Sequence, residues 1–165
     1  MDEPDFFINK NQGVAIVGLG LIGGSIAGAL KINGFKNIMG IDTQNKAIED
    51  AINKDFIKLG DTEPENILPL AEIVIVCLYP KETAEFIKKH MNDFKYKAVI
   101  TDVSGIKLDL INEINSCLRE DLEFVGGHPM AGSHFRGFDH ANPNLFMDAN
   151  LYLRLIQASM MKRWH

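Results

Sequence analysis

Apolar and polar positions along this chain fall into alternating short blocks. "GVAIVGLGLIGGSIAGALKINGF" passes from a β-branched run through glycines into a small-residue helix that breaks at Asn33-Gly34. "KNIMGID" reads as a second short strand, and "NKAIEDAINKD" has helical spacing. "GDTEPENILPLA" is a turn-rich connection carrying two prolines, after which "EIVIVCLYP" is a continuous apolar strand stopped by Pro80. The amphipathic segment "KETAEFIKKHM", the strand "KAVITDVSG", the helix "IKLDLINEINSCL" and a last strand "LEFVGG" complete the pattern. Strands that are apolar throughout and alternate with helices predict a parallel sheet covered on both faces. The expected fold is therefore α/β, a Rossmann-type doubly wound and mainly parallel sheet in the order β-α-β-α-β-α-β-α-β.

Composition narrows the function classes. A chain of 165 residues, 46% hydrophobic and 24% charged, suits one globular domain. The net charge of −5 and the scattered Lys and Arg residues argue against a nucleic-acid partner. No apolar run approaches the ~20 residues that span a membrane. The acidic start "MDEPDFF" lacks the features of a signal peptide. Cys77 and Cys117 cannot build a disulfide framework, so a cytoplasmic location is expected.

The first strand–helix junction carries a specific chemistry. Gly18, Gly20 and Gly23 form G-x-G-x-x-G, in which the glycines serve a tight turn, room for a pyrophosphate, and close helix–strand packing. The helix opening, with Leu21 and Ile22, offers free N–H groups and a positive dipole end to phosphates. Asp42, 19 residues past Gly23, stands where an acid binds adenosine ribose hydroxyls, although an Asp before a helix also serves as an N-cap. Thr43 and Gln44 follow it with no arginine for a 2′-phosphate, which favours NAD over NADP. Leu78, Tyr79 and Asp102, at the ends of the next two strands, are expected to line the same cofactor site. No Gly-Lys-Ser/Thr follows the glycines, which excludes a Walker-type loop.

Near the end of the chain "EFVGGHPMAGSHFRGF" brings His128 to the end of a strand, where ligands of open α/β sheets bind. Pro129 restricts the backbone beside it. Taken alone, this is also a Gly/Pro loop that contains a histidine.

Read together, "VAIVGLGLIGGSIAGAL", "VIVCLYPKET", "VITDVSGIK" and "FVGGHPMAGSHFRGF" resemble, in this order and spacing, the prephenate and arogenate dehydrogenase family. The resemblance runs from about Gly13 to about Asn150, and "GGHPMAG" with "TDVSGIK" is its most specific part. It implies NAD-dependent oxidation of prephenate to 4-hydroxyphenylpyruvate, or of arogenate, in tyrosine biosynthesis. It implies that His128 hydrogen-bonds the substrate's ring hydroxyl and takes its proton as hydride passes to the nicotinamide. A neutral imidazole, titrating near pH ~6.5, suits that task. Loss of CO₂ and aromatisation then make the step irreversible.

Two positions depart from the family. Its members commonly carry a serine three places after the strand-end aspartate, whereas here Gly105 holds that place and Ser104 lies one earlier. Ser104 reaches the catalytic site through a shifted turn or serves simple turn chemistry. His134 stands where many members have a glutamate, which removes an acidic gate. Lys107 matches a family lysine but equally suits a solvated first helical turn, and Arg136 suits a substrate carboxylate or the open surface. His128, His134 and His140 are spaced by six, which fits no zinc-ligand pattern, so no metal is expected.

The resemblance also implies a C-terminal helical domain, absent here, that supplies a substrate-carboxylate arginine and most of a dimer interface; a homodimer of this chain is a further expectation. Residues 1–150 are expected to form the NAD-binding domain and 151–165 an atypical tail. "LYLRLIQASMMKRWH" is basic and Met-rich, has no partner element in the pattern, and is compatible with a short helix. The genetic code allows one DNA stretch to encode "LYLRLIQASMMKRW" and, two nucleotides later, "IFTPDSSINDETLA", which restores the family's strand and Thr-Pro. The expectation is an out-of-frame tail on a truncated enzyme with weak or no activity; a natural short protein and an expression boundary are the rivals.

Overall fold

The computed structural model describes residues 9–105, 108–130, 137–147, 149 and 151–155, the last five by their backbone. Each apolar run forms its strand: β1 (Gly13–Val17), β2 (Asn37–Ile41), β4 (Ile73–Val76), β5 (Val99–Asp102) and β6 (Glu123–Pro129). The helical segments become α1 (Leu21–Ile32), α2 (Asn45–Asn53), α3 (Pro80–Lys89) and α4 (Leu108–Cys117). All five residues of β1 are buried, as an element enclosed on both faces requires.

Two strands escape the sequence pattern. Leu59–Asp61 forms β3, at the entry to what reads as a turn-rich connection, pairing in parallel with Met39–Ile41. Three residues are too few to show a period of two, so only the neighbouring strand selects them. Leu151–Leu155, expected to lack a partner and to suit a helix, is β7 and runs antiparallel to β6. Leucine-rich residues prefer helix in isolation, but the free edge of β6 offers unpaired backbone groups that a strand satisfies. The pairing Gly127↔Leu153, His128↔Tyr152 and Pro129↔Leu151 also draws His128 and Pro129 into β6 itself.

The sheet order is β3-β2-β1-β4-β5-β6-β7, parallel through β6. This is the doubly wound α/β arrangement that the alternation predicts, with its switch point between β1 and β4. One face of β1 and β2, through Val14, Ile16 and Ile38, packs on Ala27, Ile48 and Ala51 of α1 and α2. The other face, through Val17, Ile41, Val76 and Ile100, packs on Ile87, Ile111 and Ile114 of α3 and α4. No helix among the described residues is long and apolar enough to cross a membrane.

Between β6 and β7, the described residues from 137 to 147 lie against α1. Phe138, 5% exposed, fills the space over Gly24, meets Phe56 edge-on at 6.0 Å, and lies under the Lys54 ammonium at 4.9 Å. Ser25, fully buried, donates its hydroxyl to Leu21 O at 2.6 Å and accepts the Asn142 N–H at 2.9 Å. The return leg is thereby pinned across α1.

At the opposite end, Glu72 accepts the Gly13 N–H and pairs with Lys95. Arg119 grips Asp121 with two nitrogens, at 2.6 and 3.0 Å, while donating to Met91 O and Phe94 O. Lys95 holds the Glu72 carboxyl below its ordinary range, and Arg119 holds Asp121 down at about 2. Both carboxyls are thus more acidic folded than unfolded, and the stability they confer is complete above about pH 5 and lost as pH falls toward 2. Urea midpoints measured from pH 6 to 2 are expected to fall, and to fall less steeply in Asp121→Asn. Parallel curves for the two proteins would refute this.

Candidate functional site

The carboxyl end of β1 turns into α1 through backbone that only glycine permits. Gly18 has φ +85° and donates its N–H to Ile41 O at 2.8 Å. A side-chain carbon at Gly23 would lie 1.8 Å from the Gly18 carbonyl oxygen, so α1 rests directly on the loop. Gly20 differs: a side-chain carbon there would meet nothing within 4 Å. It is the N-cap of α1, supplies no side-chain cap, and is followed by no acid in the first turn. The helix therefore presents unpaired N–H groups and an uncompensated positive end beside open space, which suits a phosphate. Leu21 is 8% exposed and Ile22 half-buried, so they support the loop as packing.

Asp42 follows β2 and closes on this loop. Its Oδ2 accepts the Leu19 N–H at 2.7 Å, and its Oδ1 accepts the Gln44 N–H at 2.9 Å. The second bond is a local turn contact, and the N-cap of α2 is Gln44 and not Asp42; the first ties β2's end to the glycine loop. A carboxylate offers about four lone-pair positions, so each oxygen keeps capacity for a hydroxyl donor. Thr43 and Gln44 are exposed beside it. After β4, Leu78 packs against the α3–α4 core and also approaches Gly18, whereas Tyr79 is 62% exposed at the N-cap of α3. Cys77 lies between them and Val76, its thiol pushed far above its usual range by burial and then by Asp102, so it stays protonated.

The second half of the site lies on β5 and β6. Asp102, 2% exposed, accepts the Gly127 N–H at 3.0 Å with Oδ1. Its Oδ2 accepts the Ser104 N–H at 3.1 Å and the Ser104 hydroxyl. Gly105 follows with φ +89°, and a side-chain carbon on it would stand 3.1 Å from His128 Nδ1. That nitrogen is buried and has no hydrogen-bond partner among the described residues. The imidazole thus lies against the bare backbone of Gly105, at the place where serine was expected.

The structure brings Gly18, Gly20, Gly23 and Asp42 together at one end of β1, and Asp102, Ser104 and His128 together at the ends of β5 and β6. Gly127 and Gly105 were read only as motif neighbours, yet they are the contacts that link Asp102 to His128. The doubled glycine before His128 was the available signal for the first. Lys107, His134 and Arg136 lie outside the described residues. His140 sits on the 3₁₀ turn Phe138–His140 at α1 and α2, away from His128 on β6. Among the described residues no three His, Cys, Asp or Glu side chains gather as metal ligands. A cavity of about 330 Å³ opens near Gly13, Asn37 and Glu72, at the amino ends of the strands and so away from these groups.

Comparison with known proteins adds a lineage. The family model described as "Prephenate dehydrogenase, nucleotide-binding domain" matches residues 26–155, a span that begins within α1 and ends with β7. The prephenate dehydrogenase of Bacillus subtilis (strain 168) is 33% identical over 138 residues, covering 82% of this chain and 37% of that protein. The chain therefore spans under half the length of that relative. A crystal structure of prephenate dehydrogenase from A. aeolicus, in complex with hydroxyphenyl propionate and NAD⁺, superposes with a TM-score of 0.80 at 30% identity. It is covered over 53% of its length and this chain over 92%. Synechocystis arogenate dehydrogenase superposes with a TM-score of 0.81 at 28% identity, over 88% of this chain and 50% of its own.

Two glycines separate packing from ligand space. Gly23→Ala is expected to destabilise by about 3 kcal/mol, the upper range of overpacking, because the obstacle is backbone. Gly20→Ala is expected to cost no more than about 1 kcal/mol, for a poorer N-cap residue. Urea unfolding of both variants tests the contrast, and equal losses would refute it.

Proposed function

The chain belongs to the prephenate dehydrogenase family through its nucleotide-binding domain, and from that premise we propose that it binds NAD and serves oxidative decarboxylation of prephenate. The open space over Gly20, at an uncapped helix N-terminus, is the observation that carries the cofactor assignment. Free N–H groups of α1 would hold the pyrophosphate there, and Asp42 would use its remaining lone pairs for the adenosine ribose hydroxyls. Thr43 and Gln44, directly after Asp42, carry no basic side chain for a 2′-phosphate, which supports NAD over NADP. Leu78 and Tyr79 line the cofactor side of the cleft, Tyr79 offering an exposed ring.

When bound, NAD supplies the hydride acceptor. His128 takes the proton of the substrate's ring hydroxyl. Its Nδ1 is enclosed against Gly105, which leaves Nε2 as the nitrogen for that proton. Oxidation of the ring alcohol produces a dienone; the C–C bond to the ring carboxylate then breaks, CO₂ leaves, and its electron pair aromatises the ring to the phenol of 4-hydroxyphenylpyruvate. The same atoms act on arogenate, which differs from prephenate in its side chain, and the likeness to the Synechocystis enzyme supports that second substrate. A cytoplasmic setting suits this chemistry and the protonated Cys77.

Calorimetric titration with NAD, then prephenate, and NADH formation by absorbance test the reading. The chain is expected to bind NAD. Gly20→Ala is expected to weaken binding by about tenfold or more, roughly 1.4 kcal/mol, because the added methyl occupies ligand space. No NAD binding by the wild-type chain would sink the proposal. Turnover by these 165 residues is expected to fall well below the ~10 s⁻¹ of a typical enzyme, because the described residues contribute no group assigned to the substrate's carboxylates. Any turnover present should drop by about 10²–10⁴ in His128→Asn, the usual worth of a positioned base.

A further inference from the structure

The ladder between β5 and β6 stops short of the histidine. Its registered pairs are Val99↔Glu123, Ile100↔Phe124 and Thr101↔Val125, and no pair continues to Gly127 or His128. At that point the Asp102 side chain takes over from the backbone. Oδ1 receives the Gly127 N–H at 3.0 Å, and a side-chain carbon on Gly127 would lie 2.3 Å from the Asp102 carbonyl oxygen. The two strands therefore stay in close contact one residue before the imidazole. On its other side the same carboxylate holds Ser104 by backbone and hydroxyl, which sets the turn that presents Gly105 to the imidazole.

We infer that Asp102 is a positioning residue for His128, acting through Gly127 on one side and the Ser104–Gly105 turn on the other. A carboxylate at 2% exposure is tolerated only when its oxygens are satisfied, and three donors from this chain satisfy it. With 2% exposure and both oxygens engaged by this chain, Asp102 acts on the site through its neighbours rather than by holding the cofactor. The Ser104 hydroxyl donates to Asp102, so Ser104 belongs to the same support. The Ser-Gly order is a working alternative: the serine braces the aspartate, and the glycine, in the left-handed conformation, leaves room for the ring. This role rests on His128 being the catalytic histidine, but its geometry and its resonance test do not require cofactor or substrate.

Asp102→Asn keeps an acceptor for the Gly127 N–H but turns an amide donor toward the Ser104 N–H and hydroxyl. The measurement is NMR of histidine-labelled protein, with amide exchange rates and NAD titration alongside. The expected result is a displaced His128 imidazole resonance, faster exchange at the Ser104 and Gly105 amides, and an NAD Kd within about threefold of wild type. Ile114→Val in α4, which lowers the unfolding midpoint at a distance, is expected to leave the His128 resonance in place. An unmoved His128 resonance in Asp102→Asn overturns the inference. So does an NAD Kd weakened by about tenfold or more, since that would make Asp102 a direct cofactor contact. Should Asp102→Asn fail to fold, Ser104→Ala, which removes only the hydroxyl brace, is expected to move the same resonance, and its failure to do so is equally decisive. Absence of NAD binding by the wild-type chain would defeat the cofactor assignment while leaving the resonance test standing.

Discussion

The approach of α1 to β1 governs the cofactor half of this protein. A side-chain carbon at Gly23 would stand 1.8 Å from the Gly18 carbonyl, so the helix meets the loop backbone to backbone. That contact fixes where the helix N-terminus points. It also fixes the position of Gly20, which faces open space, and of Leu19, whose N–H reaches Asp42. The same helix carries Gly24 and Gly28, both buried, where Phe138 and Pro143 lie against it. Small residues along α1 thus settle three contacts: with the strand beneath, with the ligand at its end, and with the segment that follows His128.

The histidine half is built by a different device. The β5–β6 ladder ends at Thr101↔Val125, although the two backbones stay close at Asp102 and Gly127. A buried carboxylate carries the contact on to Gly127, and the chain accepts the desolvation of Asp102 because both its oxygens are hydrogen-bonded. β7 supports the same strand from its other edge, with His128 opposite Tyr152. His128 is therefore held from both sides by main-chain geometry, while its Nδ1 faces a glycine. Rigid support of this kind suits a group that must meet a substrate hydroxyl in one orientation.

Much of this was legible in the residues. Continuous apolar runs marked the parallel strands, and the loop glycines were identified by their spacing, Gly18 and Gly23 meeting steric demands that no other residue tolerates. Asp42 was legible from its distance along the chain, but its bond to Leu19 was not. The motif around His128 was legible as a strand end, yet the strand runs two residues further because β7 pairs with it. β3 and β7 were missed for one reason: three residues show no period, and "LYLRL" has no intrinsic strand preference, so a neighbouring edge decides both. Ser104, which allowed either a shifted catalytic place or turn chemistry, is found hydrogen-bonded to Asp102, two residues earlier.

By itself the sequence determined what local chemistry can encode: the alternation of elements, the glycine loop, and a histidine following a strand. These depend on periodicity and on backbone freedom within a few residues. Only the tertiary structure decided which groups meet. The Asp102–Gly127 bond joins residues 25 apart, and the Ser25–Asn142 bond joins residues 117 apart. Such contacts exist only once the sheet has brought its strands side by side, because a single hydrogen bond is too weak to organise a long loop against its conformational entropy.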